Sequence, residues 1–79
     1  MSWNYRVVRR VLEHGEIQFG IHEAFYNKGE TVPHSITVDP VRVVADSEEG
    51  IGDVISMMRH GKTRPILNWE DFCNEPKDQ

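Results

Sequence analysis

Along residues 3–27, WNYRVVRRVLEHGEIQFGIHEAFYN, β-branched and aromatic side chains gather in two runs separated by one glycine-bearing break, a composition suited to two paired strands. Side chains of a strand alternate between its two faces. The odd positions are Trp3, Tyr5, Val7, Arg9 and Val11 in the first run, and Ile17, Phe19, Ile21, Glu23 and Phe25 in the second. They make one apolar face only if odd pairs with odd, which a three-residue loop of His14, Gly15 and Glu16 permits, with Gly15 supplying the positive φ of a bulged turn. A two-residue turn would set Arg10 opposite Phe19, and one residue of slip turns over a whole strand. The odd register is therefore expected, with the odd face toward the core and Glu23 paired diagonally with Arg9 at its rim. The even face carries Arg6, Val8, Arg10 and Leu12 beside Gln18, His22 and Tyr26. It is polar with apolar spots, which suits a solvated face or a contact surface.

Beyond the hairpin, Asn27-Lys28-Gly29-Glu30 is a turn composition, and residues 33–40 alternate Ser35, Thr37 and Asp39 with Ile36 and Val38 between two prolines. That pattern predicts a short edge strand completing an antiparallel meander. Residues 46–60 predict one helix, because Ile51, Val54, Ile55 and Met58 follow helical spacing. Asp46 or Ser47 can cap its start, Glu48 and Glu49 complement its dipole, and Gly61 is placed for a left-handed end. The apolar stripe is expected to lie on the odd face of the sheet. Pro65, Ile66 and Leu67 can extend the sheet to a fourth strand, and Asn68 can cap a helical turn in which Trp69 and Phe72 close one end of the core. The fold class expected is α+β: a three-stranded antiparallel sheet, four-stranded if residues 65–68 join, with one helix packed on one face.

The chain has 79 residues, enough for one domain that buries about 60–65% of its unfolded surface and is marginal without help. Residues 1–74 are read as that domain and residues 75–79 as a frayed tail. Hydrophobic residues at 38% and charged residues at 28% exclude wholesale disorder, and a net charge of −4 disfavours general nucleic-acid binding. Cys73 is the single cysteine, so no internal disulfide is expected. The start has neither the basic nor the apolar region of a signal peptide, and no run nears the ~20 apolar residues of a membrane span. A cytoplasmic protein is expected.

Catalytic and cofactor chemistry finds no footing in the pattern. His14, His22, His34 and His60 fall in different elements without metal-ligand spacing, and His22 and Glu23 point to opposite faces of one strand. Cys73 has no histidine partner in the pattern, and Gly50-Ile51-Gly52 lacks the lysine and the preceding strand of a phosphate loop. No catalytic, cofactor-binding or metal-ligating residue is assigned, and the chain is read as a non-enzyme. What the pattern offers is an interaction surface, Arg6, Val8, Arg10, Leu12, Gln18, His22 and Tyr26, for a homodimer mate or an unidentified protein partner. Nucleic-acid contact through Arg6 and Arg10 is the alternative.

Trp3-Asn4-Tyr5-Arg6-Val7, Ile21-His22-Glu23 and Pro65-Ile66-Leu67 resemble the WNYRV, IHE and PVL pattern of a family of short bacterial proteins of unknown function. The resemblance spans residues 3–67 and departs from the family pattern at Ala24, Phe25 and Asn27 and at the start of the helix. It implies fold and a bacterial cytoplasmic setting, and no activity. In element order alone the chain is similar to the antitoxin halves of HicAB-type toxin–antitoxin pairs.

Overall fold

The computed structural model describes residues 2–72. Cys73, the end of the expected domain and the expected tail at residues 75–79 lie outside the described residues. The two apolar runs form long antiparallel strands, β1 (Ser2–Val11) and β2 (Ile17–Tyr26). Odd pairs with odd: Trp3 faces Phe25, Val7 faces Ile21 and Val11 faces Ile17. The loop is displaced from its expected position, because Leu12 donates its N–H to the Glu16 carbonyl at 2.8 Å and the reversal falls on Glu13, His14 and Gly15. Gly15 has φ of 90°, the left-handed value the reversal requires.

A second reversal follows β2. Glu30 donates its N–H to Asn27 O at 3.0 Å and Gly29 has φ of 84°, as the turn composition predicts. The third strand is shorter than its alternation suggested, since only Ser35–Ile36, β3, bridges β2. The helix α1 (Glu48–His60) is capped by Ser47, whose hydroxyl accepts the Gly50 N–H at 3.0 Å. Its end departs from expectation. Gly61 is right-handed, at φ −61° and ψ −28°, and the chain continues into a 3-10 turn over Gly61–Thr63. Glycine is required there for a different reason: a Cβ would stand 2.8 Å from the Tyr5 carbonyl oxygen, so only a bare backbone fits against β1. A two-residue strand β4 (Leu67–Asn68) and a 3-10 turn over Trp69–Asp71 complete the described chain. Asn68 makes no side-chain capping bond to that turn.

The sheet order is β3-β2-β1-β4, and β4 runs parallel to β1 with Val8 opposite Leu67. The fold is α+β, a four-stranded mixed sheet with one helix, where a purely antiparallel sheet had been expected. The parallel pair arises because α1 lies between β1's hairpin and β4, and its crossover returns the chain in β1's direction.

The core is on the even face. Val8 and Ala24 are fully buried, and Tyr26 and Ile36 join them, with Leu67, Trp69 and Phe72 packed against the cluster. Small residues on β2 let cover approach closely: a Cβ on Gly20 would meet Pro40 Cγ at 3.0 Å. The cover comes from the segments that follow β3 and β4 at opposite edges of the sheet. They meet where the Trp69 indole N–H donates to Val38 O at 3.0 Å. The sheet is thus closed over its even face by irregular chain, and the assignment of the odd face as core is overturned. The helix stripe is correspondingly half-used. Met58 is buried and Ile51 and Val54 are half-buried, but Ile55 stays 51% exposed.

Candidate functional site

The seven residues expected to form a contact surface lie on the covered face. Arg6, Val8, His22 and Tyr26 are buried, and Arg10, Leu12 and Gln18 are half-buried. As an exposed patch the set does not exist in the folded chain, because residues 36–41 and 65–72 occupy the space in front of it. Its polar members are tied into that cover. His22 Nδ1 lies 2.8 Å from the Thr37 carbonyl oxygen, which can only accept, so this nitrogen carries a proton. The Arg10 guanidinium sits 3.9 Å from the centroid of the Trp69 ring, an arrangement in which the ring face attracts the cation. Glu70, beside it, accepts the Val11 N–H at 2.9 Å. That bond holds its carboxyl below the usual carboxylate range, and Arg9 and Arg10 lower it further.

Arg6 is the most constrained of these groups. It is 6% exposed, and it donates from Nη1 to the Tyr26 hydroxyl at 2.7 Å and from Nη2 to the Pro65 carbonyl at 2.6 Å. The Tyr26 hydroxyl in turn donates its O–H to Asn4 Oδ1 at 3.0 Å. No carboxylate reaches Arg6 among the described residues, and its Nε is buried there without a hydrogen-bond partner. The pair expected between Glu23 and Arg9 is not formed either; the one basic–acidic side-chain contact within 4 Å among the described residues is between His34 Nδ1 and Glu30, at 3.8 Å. The Arg6 network borders an open cavity of about 540 Å³ between the start of β1, residues 30–33 and residues 64–67.

The odd face and the outer edge of β2 form the second candidate surface. Trp3, Val11, Ile17 and Phe19 are exposed there, Phe19 by 59%. The helix meets the sheet along β1, where Met57 and His60 border a small cleft with Trp3 and Tyr5, and it leaves the turn end of the hairpin open. At the outer edge of β2, hydrogen bonds from His34, Thr37 and Val41 reach Phe25, Glu23 and Ile21. Beyond Ile21, among the described residues, none reaches Phe19 or Ile17. Sequence reasoning missed this surface because it assigned those side chains to the interior.

Among the described residues no three His, Cys, Asp or Glu side chains gather to hold a metal, and no helix is long and apolar enough to cross a membrane. No family model, no curated protein and no solved structure matches the chain.

Proposed function

We propose that the chain is a small, non-catalytic protein-interaction module that self-associates through the outer edge of β2. The observation that carries this reading is the coincidence, at Ile17 and Phe19, of an unpaired strand edge with two large exposed apolar side chains. An antiparallel edge pairs naturally with a second copy of itself about a two-fold axis, because such an interface is self-complementary. The pairing sets Ile17 beside Phe19 across the axis, satisfies their free backbone groups and extends both sheets into one. Val11, opposite Ile17 on the same odd face, continues the exposed apolar patch inward from that edge. The chain's small size supports the same reading, since a domain of this length buries little surface by itself and gains from a second copy. The resemblance to short bacterial proteins supports a setting in a bacterial cytoplasm.

Light scattering on the purified protein tests this. The expected species has twice the 9.2 kDa mass of the chain, and Phe19→Lys converts it to a folded monomer. A concentration-independent monomer for the unaltered chain rejects self-association.

A further inference from the structure

The cavity beside Arg6 plays no part in the β2 edge, and it combines features that point to a ligand. Arg6 lines its polar end: the side chain is 6% exposed, it is bonded only to neutral groups, and its Nε is shut off from solvent without a partner among the described residues. A guanidinium drawn out of water ordinarily has an anion facing it, since its planar donors match a carboxylate and its charge is otherwise uncompensated. Arg64, half-buried, lines the same cavity and adds a second cation. The one acid on the wall is Glu30. Its carboxylate is engaged at its own turn, accepting the Asn27 N–H at 2.8 Å and the Asn27 side-chain amide at 3.4 Å, and lying 3.8 Å from His34 Nδ1. The neutral polar groups on the wall are Ser2, Asn4, Tyr26 and Thr31, and Val32, Pro33, Pro65 and Leu67 form its apolar part. A volume of about 540 Å³ exceeds the space a bare inorganic anion fills and lies in the range of small-molecule sites.

We propose that this cavity binds a small organic monocarboxylate, its carboxylate against Arg6 and Arg64 and its apolar body against Val32, Pro33, Pro65 and Leu67. Tyr26 and Asn4 hold the guanidinium in place: the hydroxyl accepts from Nη1 and donates to Asn4, which fixes the plane of the fork before a ligand arrives. Pre-ordering of this kind reduces the entropy lost on binding.

The test is a nuclear magnetic resonance titration of the full chain with hexanoate, with hexan-1-ol and inorganic phosphate as matched probes lacking the charge and the apolar body. Saturable hexanoate shifts are expected at the Arg6 Nε–H and at the Thr31, Val32 and Leu67 amides. Hexan-1-ol is expected to bind about tenfold more weakly or less, the size of effect that loss of one charge-assisted hydrogen bond produces, and inorganic phosphate more weakly than hexanoate because it buries no apolar surface. Arg64→Gln should weaken hexanoate binding. Val32→Asp, at a position 68% exposed where a substitution has little effect on folding, should repel the anion and abolish binding. Absence of saturable shifts at tens of millimolar hexanoate overturns the proposal. So does equal binding of hexan-1-ol, which would reduce the cavity to an apolar cleft, or tighter binding of inorganic phosphate.

Discussion

The two faces of the hairpin exchange the roles their composition suggests. The even face carries Arg6, Arg10, Gln18 and His22 and yet encloses the core around Val8 and Ala24, whereas the odd face carries Trp3, Val11, Ile17 and Phe19 and leaves them exposed. The difference lies in what each face can receive. Val8, Gly20 and Ala24 are small enough for a backbone to lie directly on the sheet, so Pro40 reaches Gly20 and residues at both edges close over them. The polar side chains between them find carbonyls and hydroxyls in that cover, as His22 does at Thr37 and Arg6 does at Pro65 and Tyr26. Irregular chain brings free polar backbone groups with it, so a face that holds donors is the better match for it. At its turn end the odd face offers mainly hydrophobic side chains, Val11, Ile17 and Phe19 with Arg9 beside them, and a single helix reaching β1 does not extend that far.

The sharpest way to break this contrast is a matched pair of truncations on one strand. Val8→Ala, at a fully buried site, should destabilise by about 2 kcal/mol through lost burial and a residual cavity. Val11→Ala, three residues on and 40% exposed, should stay within about 0.5 kcal/mol. Urea unfolding measures both under conditions where the chain is monomeric, and equal effects would mean that the even face is not the core. Close in size is Tyr26→Phe, which removes the hydroxyl bridging Arg6 and Asn4 and leaves a buried donor unmet, at an expected cost of about 1–3 kcal/mol. A neutral result would show that the guanidinium is solvated in its cavity.

Smaller effects sharpen the comparison. Ser47→Ala deletes the helix cap and should cost about 1 kcal/mol, read as helix loss by circular dichroism as well as in unfolding. If it costs much less, α1 contributes little to the stability of the odd side. The smallest effect is at Glu70, and its sign is definite. Its folded carboxyl titrates below its unfolded value because it accepts the Val11 N–H, so the stabilisation is present above the unfolded pKa and is lost as pH falls through the folded one. Glu70→Gln should flatten that part of the stability profile between mildly acidic and strongly acidic pH. An unchanged profile would remove Glu70 as the tie between the end of β1 and the 3-10 turn after β4.

Local order was legible in the residues themselves. Alternation and the Gly15 break specify the two long strands and their odd-with-odd parity, because a pleat has a strict period of two. Ser47 and the spacing of Ile51, Val54 and Met58 specify the helix, because a cap and a 3.6-residue stripe are local properties. Which face is covered was decided only in three dimensions. It depends on β4 joining β1 in parallel and on Trp69 meeting Val38, contacts between residues far apart in sequence that no periodicity records. The same holds for Gly61, where a helix-end pattern concealed a close approach to Tyr5, and for Arg6. Alone in sequence, Arg6 is one more strand arginine; its burial and its cavity come into being only when residues 30–33 and 64–67 converge on it from separate parts of the chain.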